Sequence, residues 1–284
     1  MTILILIATI AFLFVMIMII DCNRFVIREY QCKTDKLPKN ETMILLSDLH
    51  NKSFGRDNNK LLAAIEQIHP TRILIAGDMY TCKANSTTQT AQKLVCTLAR
   101  KYPVYYCNGN HEQKTRLYPE VFGDVYDRYI DTIESSGVCF LDNEKIDLTE
   151  ANIELYGLNI ERNFYGKFKQ EKMDLNYLKA RLGMPNSSAF SILIAHNPDY
   201  FETYADWGAD LVVSGHVHGG LMKLPVFGGV ISPSLRLFPH YDGGEYQLKN
   251  SKLILSRGLG THTLPIRIFN PGELVVIRCG KFDE

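Results

Sequence analysis

Five short motifs along the 284-residue chain carry side chains that are typical metal ligands. These side chains are oxygen and imidazole donors with no thiolate among them, a set that suits borderline divalent metals such as Mn, Fe or Zn better than Ca. Seven donors are too many for one tetrahedral site, but they suit two metals that share one carboxylate. The candidate ligands are Asp48, His50, Asp78, Asn110, His196, His216 and His218.

Such a pair of metals indicates phosphoryl-transfer chemistry. Two ions ~3.5–4 Å apart can hold a hydroxide between them and brace the attacking and leaving oxygens of an in-line displacement. Each motif alone has an ordinary interpretation, because Asp48-x-His50 resembles a helix cap with a surface histidine and His196 alone resembles a core histidine. All five motifs in order, each after a predicted strand, favour the metal site over coincidence.

Apolar runs that precede the motifs predict the elements that must position them. Because ligands gather at the carboxyl ends of strands in α/β folds, these motifs are expected to converge in one crevice. The pattern predicts an α/β fold with mixed sheets. Helices are predicted at Asn58–Ile68, Thr90–Arg100 and Asp124–Ser135, and strands at Thr42–Ser47, Arg72–Ala76, Val104–Cys107, Ile153–Leu158, Phe190–Ala195, Asp210–Ser214 and Glu273–Arg278, with a hairpin at Tyr246–Leu248 and Lys252–Leu255.

The first twenty residues have no charged side chain. At ~1.5 Å per residue they span ~30 Å as a helix, which is the thickness of a bilayer core. A cleaved signal peptide would need a basic start and a small-residue exit, and a buried core helix would need a partner layer, so residues 1–20 are predicted to be a transmembrane signal anchor. The polar residues 21–40 are predicted to be a linker, and residues 41–284 are predicted to be the catalytic domain. A chain that starts near Asp35 would then contain the whole domain.

The charges that flank this helix predict its orientation. Basic residues follow the helix closely, and no Lys or Arg precedes it, so the positive-inside rule predicts a single-pass protein of the cell membrane with its domain on the cytoplasmic side. The basic residues are Arg24, Arg28, Lys33, Lys36 and Lys39.

The overall composition argues against two classes of protein. Lys plus Arg and Asp plus Glu both total 31, so the chain has no net charge and no nucleic-acid partner is expected. Seven cysteines at irregular spacings, with no C-x-x-C, argue against a disulfide framework.

Taken together, the motifs resemble the signature of the calcineurin-like metallophosphoesterases. The finer resemblance is to the bacterial YkuE/YaeI-like branch, which has an N-terminal membrane segment. That branch carries a tail similar to Ser256-Arg257-Gly258-Leu259-Gly260 and Pro265-x-Arg267-x-Phe269-Asn270-Pro271. The resemblance covers residues 41–279 and implies a four-layer αββα sandwich with a dinuclear centre of two divalent ions.

The resemblance also implies a role for each matching residue. Asp48, His50 and His218 hold one metal. Asn110, His196 and His216 hold the other, and Asp78 bridges the two. His111 is implied to be catalytic and not a ligand, assisting the leaving group or stabilising the transition state, while Glu112 orients a neighbour. Leu221 stands where this branch usually has Gln.

Substrate contacts are predicted less directly. Arg257, Arg267 and His262 are candidates, since a guanidinium pairs bidentately with phosphate oxygens. For both arginines, hydrogen bonding within the fold is the alternative interpretation.

The leading functional hypothesis is a membrane-anchored, metal-dependent hydrolase of phosphate ester or pyrophosphate bonds. The membrane segment favours a lipid-linked small-molecule substrate, such as one resembling UDP-2,3-diacylglucosamine or a phospholipid, and hence a role in lipid metabolism. Two alternatives remain open: a catalytically silent metal-binding module, and a nuclease or protein phosphatase of the same superfamily.

Overall fold

A computed structural model describes residues 1–83, 86–166, 171–220, 222–224, 228–229, 240–261 and 265–282. Its helices are α1 (Thr2–Asn23), α2 (Asn59–Ile68), α3 (Gln89–Ala99), α4 (Asn110–Leu117), α5 (Pro119–Phe122), α6 (Val125–Ser135), α7 (Leu175–Leu182) and α8 (Phe201–Trp207). Its strands are β1 (Phe25–Lys33), β2 (Glu41–Leu46), β3 (Arg72–Ile75), β4 (Val104–Tyr106), β5 (Cys139–Phe140), β6 (Glu144–Leu148), β7 (Ile153–Leu158), β8 (Phe190–Ala195), β9 (Leu211–Ser214), β10 (Lys223–Leu224), β11 (Gly228–Gly229), β12 (Gly244–Leu248), β13 (Ser251–Leu255) and β14 (Gly272–Gly280).

Within the described residues, most strands belong to two six-stranded sheets. The first sheet has the order β1-β14-β2-β3-β4-β5, and the second has the order β12-β13-β9-β8-β7-β6. Strands β2 to β5 are parallel to one another, as are β7, β8, β9 and β13. Parallel strands end at the same edge of a sheet, so each sheet brings several strand ends together.

Three apolar clusters hold the layers together. Residues such as Leu45 and Ile192 fill the space between the two sheets. Leu61 and Leu94 pack α2 and α3 onto the outer face of the first sheet, and Tyr204 packs α8 onto the outer face of the second. The predicted four-layer αββα sandwich is therefore confirmed.

Helix α1 is long and apolar enough to cross a membrane, and the domain buries none of its apolar window. The prediction of a linker at residues 21–40 is wrong over Phe25–Lys33. These residues form β1, which pairs in parallel with all of β14. Val26, Tyr30 and Cys32 alternate with more exposed residues, which is typical of an edge strand.

The other predicted elements agree closely with the structure. Ile153–Leu158 and Phe190–Ala195 have the predicted bounds, and the predicted hairpin is β12 paired with β13. Helices α4, α5 and α8 and strands β5 and β6 were not among the predicted elements. Helix α4 has a mainly polar sequence, although it buries His111, Glu112 and Thr115.

Candidate metal centre

All seven candidate ligands lie just beyond the carboxyl ends of buried strands. In the first sheet, the ends of β2, β3 and β4 are followed by Asp48, Asp78 and Asn110. In the second sheet, the end of β8 is followed by His196, and the end of β9 by the turn that carries His216 and His218. The backbone joins these loops, since Asp48 N donates to Gly77 O at 3.0 Å and Gly215 N donates to His196 O at 3.1 Å.

The ligand atoms form overlapping clusters around Asp78. Within each cluster, one donor atom from every member lies within 4.8 Å of the others. His196 Nε2 is 3.2 Å from Asp78 Oδ2, and His218 Nε2 is 3.3 Å from Asp48 Oδ1. His50 Nε2 lies 3.9 Å from both carboxylates. The clusters are Asp48, His50 and His218; Asp78, His196 and His216; and His50, Asp78 and His111.

The chemistry of these donors fits metal ions. His196 Nδ1 is hydrogen-bonded to the carbonyl of Ala76, so Nε2 is the ring nitrogen that faces the cluster. Asn110 Oδ1 is buried and accepts no hydrogen bond from the part of the chain that the structure describes. A buried amide oxygen at the edge of a carboxylate and imidazole cluster is suited to accept a cation.

The backbone of the ligand loops is strained. Asp48, Asp78 and His218 have φ values of 50°, 55° and 53°, and His50 and His216 are also left-handed. This conformation is uncommon for residues other than glycine and costs about 1–3 kcal/mol at each position. Strain that clusters on five of the seven candidate ligands indicates that the fold holds these side chains in place for a chemical purpose.

Two glycines allow the loops to pack against the carboxylates. A Cβ atom at Gly109 would stand 2.2 Å from Asp78 Oδ1, and one at Gly215 would stand 2.3 Å from Asp48 Oδ2. Both distances are far shorter than any non-bonded contact, so a side chain at either position would displace the carboxylate. The glycines of these two motifs are therefore required by packing against the centre.

The carboxylates at this site, together with His111 and His196, are almost completely buried from solvent. Burial raises the pKa of Asp48 to about 6 against the opposing effect of His196. Burial also opposes ionisation of Asp78, but the neighbouring His196 and His111 outweigh it and hold the pKa of Asp78 well below its ordinary value. Burial would lower the pKa of His196, yet Asp78 raises it to about 9. Two buried carboxylates thus attract positive charge, which a divalent cation supplies more fully than a proton.

Glu112 is fully buried and is hydrogen-bonded to the backbone of the loop that carries Asp78. Its Oε2 accepts hydrogen bonds from the backbone N–H groups of Asp78 at 2.8 Å and Gly109 at 3.1 Å. Its Oε1 accepts from Met79 N at 2.8 Å and from the Tyr106 hydroxyl at 2.9 Å. Glu112 also caps the start of α4, so it ties together the loops that carry Asp78 and Asn110.

His111 lies beside the cluster with its tautomer set by the backbone. Its Nδ1 accepts a hydrogen bond from Cys82 N at 2.9 Å, so Nε2 carries the hydrogen of the neutral ring. That Nε2 is 3.9 Å from Asp78 Oδ2. Burial lowers the pKa of His111, which favours the neutral ring. A protonated Nε2 donates a hydrogen bond and does not ligate a metal.

The description "Calcineurin-like phosphoesterase" belongs to a family model that matches residues 42–220, which include all seven candidate ligands. The chain belongs to the calcineurin-like phosphoesterase family.

This phosphoesterase is similar to several curated relatives. It is 38% identical to the uncharacterized metallophosphoesterase YkuE of Bacillus subtilis over 31% of this chain and 30% of YkuE. It is 23% identical to the UDP-2,3-diacylglucosamine pyrophosphatase LpxG of Chlamydia muridarum over 84% of this chain and 83% of LpxG. It is 25% identical to the phosphodiesterase YaeI of Escherichia coli over 67% of this chain and 65% of YaeI. The matches cover less than two thirds of YkuE and of YaeI.

The predicted substrate contact at Arg267 of the phosphoesterase is wrong. The side chain is 2% exposed, and its guanidinium donates to the backbone carbonyls of Arg257, Gly258, Gly260, Asn270 and Pro271. Every donor direction is thus occupied within the fold. The alternative interpretation, a structural role, is the one that the structure supports, because this guanidinium organises the tail next to Asp48.

The other two predicted substrate contacts have different outcomes. Arg257 lies against Glu273, with Nε 3.5 Å from Oε2 of that buried carboxylate, so its position also favours a structural role. His262 lies outside the described residues, as does Leu221.

Tyr165 of the phosphoesterase is a site neighbour that is not among the predicted site residues. Its ring centroid is 5.2 Å from that of His216 and 6.3 Å from that of His196. Burial raises the pKa of its hydroxyl well above the ordinary value, so the phenol stays neutral. No motif surrounds Tyr165 in the sequence, and only the packing of the 3₁₀ turn Arg162–Tyr165 brings it to the site.

Proposed function

We propose that this chain is a membrane-anchored, dinuclear-metal phosphoesterase that hydrolyses phosphodiester or pyrophosphate bonds. The observation that carries the proposal is the position of Asp78, whose carboxylate lies between the donor clusters of the two half-sites: its Oδ2 is 3.9 Å from His50 Nε2 in one and 3.2 Å from His196 Nε2 in the other. A carboxylate shared by two clusters is the arrangement that a pair of bridged metals requires.

Each metal has its own set of ligands in this proposal. The first half-site consists of Asp48, His50 and His218, the second consists of Asn110, His196 and His216, and Asp78 bridges them. When bound, two divalent ions of the Mn, Fe or Zn type would polarise the phosphoryl oxygens and lower the pKa of the attacking water. The half-sites hold the ions, and the buried surroundings exclude bulk water from the reacting groups.

His111 provides the remaining chemistry. Its Nε2–H is held in place by the hydrogen bond between Cys82 N and Nδ1, and it lies beside the bridging carboxylate. From there it donates a hydrogen bond to the leaving oxygen of the substrate. A hydrogen bond that strengthens as negative charge develops in the transition state contributes about 10²–10³-fold to a rate.

The substrate that we propose is a lipid-linked phosphodiester or pyrophosphate. Two observations support it: α1 has the length and composition of a membrane span, and one relative is named a UDP-2,3-diacylglucosamine pyrophosphatase and another a phosphodiesterase. The absence of net charge argues against a nucleic-acid substrate.

We place the catalytic domain on the cytoplasmic side of the membrane. Arg24, Arg28 and Lys33 follow α1 within ten residues, and clustered positive charge marks the cytoplasmic flank of a span. Protease added outside intact cells is expected to leave the domain whole, while protease added to inverted vesicles digests it. The reverse pattern would contradict this orientation.

The substrate proposal is tested with the full-length protein in detergent micelles loaded with Mn. UDP-2,3-diacylglucosamine, a phospholipid and a short oligonucleotide are offered in parallel, and the products are identified by mass spectrometry. Cleavage of a lipid at its diester or pyrophosphate bond, lost in Asp78→Asn, is the expected result. Cleavage of the oligonucleotide alone would favour the nuclease alternative, and no cleavage of any substrate with metals bound would favour the silent module.

A further inference from the structure

The last loop of the chain touches both the membrane helix and the metal centre. We propose that the loop Pro265–Pro271 locks the metal centre to the membrane: Phe269 lies in the lipid beside α1, and Asn270 holds the turn of the ligand His218. The membrane location of α1 is taken from the proposed function, but neither contact of the loop depends on turnover.

Three contacts fasten this loop to α1. The Asp21 carboxylate, 2% exposed at the end of the helix, accepts a hydrogen bond from Asn270 N at 3.1 Å. Cys22 Sγ lies 3.3 Å from the carbonyl oxygen of Pro265. Nearer the N-terminus of the helix, the ring of Phe14 packs edge-on against that of Phe269, with centroids 6.2 Å apart. Helix α1 therefore contacts this loop at Phe14, Asp21 and Cys22, although the domain buries none of its apolar window.

The position of Phe269 indicates that it contacts lipid. Phe14 precedes Asp21 by seven residues, which is about 10 Å along a helix and thus well inside a hydrocarbon layer whose half-thickness is about 15 Å. Phe269 is 47% exposed and has a φ of 55°, so a bulky apolar side chain is held outward in a strained conformation. Lipid covers this exposed surface if α1 crosses a bilayer.

The same loop holds a metal ligand from behind. Asn270 Nδ2 donates to the carbonyl oxygens of His218 at 2.7 Å and of Gly220 at 2.8 Å. A Cβ atom at Gly219 would stand 2.6 Å from Asn270 Oδ1, so the turn and the amide are in close contact. Asn270 is therefore a positioning residue that acts on the metal through the backbone of His218.

A second link joins α1 to the other ligand loop of the same half-site. Lys52 Nζ donates to Asn23 Oδ1 at 2.7 Å, and Lys52 follows His50 by two residues. Arg24 is bonded to Asp21 at the same helix end, with its side chain half exposed. Both ligand loops of the first half-site are thus linked to the end of α1, and a helix end at the membrane boundary would bring the metal centre close to the lipid headgroups.

Lipid contact is tested by tryptophan quenching in the full-length protein. The single native Trp207 is buried and provides a constant background. Phe269→Trp and the control Met184→Trp, at a residue 55% exposed that follows α7, are reconstituted in phosphatidylcholine vesicles with brominated acyl chains. Quenching of the added emission in Phe269→Trp and none in Met184→Trp is expected. An equal degree of quenching in the two variants, or no quenching in either, would overturn the lipid contact.

The hold on His218 is tested by metal affinity and not by activity. In Mn competition against a fluorescent chelator, Asn270→Ala is expected to weaken apparent binding about 10–100-fold, the usual effect of removing a partner that orients a ligand. The exposed Asn186→Ala is the control. Unchanged Mn affinity in Asn270→Ala would overturn the positioning role.

Asp21 provides a second test that does not alter the ligand loop itself. Asp21→Ala removes the acceptor of Asn270 N–H and is expected to weaken Mn binding, whereas Asp21→Asn keeps an acceptor oxygen and restores most of the affinity. Thermal melting of each metal-free variant separates this effect from misfolding. Equal Mn affinity in Asp21→Ala and the wild type would contradict the link between helix and metal.

Discussion

The two half-sites of the proposed metal centre are held by different parts of the molecule. In the first half-site, Leu259 N and Gly260 N donate to the carbonyls of Ser47 and Asp48, and Asn270 Nδ2 donates to the carbonyl of His218. The second rests on the sheets themselves, since His196 is fixed by the Ala76 carbonyl and Asn110 begins the helix that Glu112 caps.

From this difference we expect the proposed metal centre to depend on both ends of the chain as well as on its core. The first half-site needs the C-terminal tail, the strand β1 and the end of α1. The second rests mainly on the buried strand ends and Glu112, and it is tied to the first through His216 N, which donates to the Asp48 carboxylate. Changes at the chain ends are therefore expected to damage one half-site first, while changes at Asp78 damage both.

The largest effect is expected from deletion of the N-terminal segment. A chain that starts at Asp35 loses β1, whose partner β14 is almost wholly buried. Loss of this ladder, at ~1 kcal/mol per hydrogen bond, removes much of a stability of about 5–15 kcal/mol and exposes a hydrophobic edge. We expect aggregation of this chain on size exclusion, whereas a chain that starts at Asp21 stays monodisperse. If the two shortened chains both stay monodisperse and melt at the same temperature, β1 is only a tether, as the linker prediction assumed.

The next largest effect is expected at the bridging position. Asp78→Asn removes the shared negative charge, so both half-sites lose affinity and turnover of a soluble diester falls more than about 10³-fold, equivalent to several kcal/mol. Metal content by atomic absorption and initial rates provide the measurement. Asp147→Asn, at an exposed carboxylate paired with Lys145, is the matched control. Full metal content with normal turnover would refute the bridging role.

His111→Ala sharpens the comparison, because His111 borders both half-sites without belonging to either. Turnover is expected to fall about 10²–10³-fold while the metal content stays as in the wild type. His69→Asn, at an exposed left-handed helix end that asparagine tolerates, is the control. Loss of metal from His111→Ala would instead make His111 a ligand.

Glu112→Gln tests the support of the second half-site. The amide offers one acceptor oxygen where the carboxylate offers two, so the N–H groups of Asp78 and Gly109, or the partners of Oε1, lose their acceptor. At about 1–3 kcal/mol for each buried donor, the loss of unfolding free energy is roughly 2–6 kcal/mol. Urea denaturation of the metal-free protein measures it, with the exposed Glu134→Gln as control. Stability within 0.5 kcal/mol of the wild type, about the usual effect of a surface change, would disprove this support.

Much of the fold could be predicted because its buried strands are continuous apolar runs. Ile153–Leu158 and Phe190–Ala195 are examples, and each ends where a polar motif begins. The strand β1 was missed because it lies in a polar stretch, with the charged Arg28 on its half-buried face and Glu29 and Lys33 on its exposed face. Helix α4 escaped because it buries polar side chains, among them Glu112, for hydrogen bonding.

The candidate site likewise has parts that could be predicted from the sequence and parts that could not. Its ligands stand in short local motifs and could be named from sequence. The contacts between Asp21 and Asn270, or between Tyr165 and His216, join residues that are far apart in sequence and obey no spacing rule. Arg267 shows the opposite error, since a guanidinium suited to phosphate instead binds five carbonyls of its own chain.

The central claim is that this chain holds two metal ions and uses them to cleave phosphate diesters. The most direct test loads the purified full-length protein with Mn, counts the ions per chain, and compares hydrolysis of bis-p-nitrophenyl phosphate with that of p-nitrophenyl phosphate. The account predicts two ions per chain and faster cleavage of the diester. A protein that binds no metal and cleaves neither compound would contradict it.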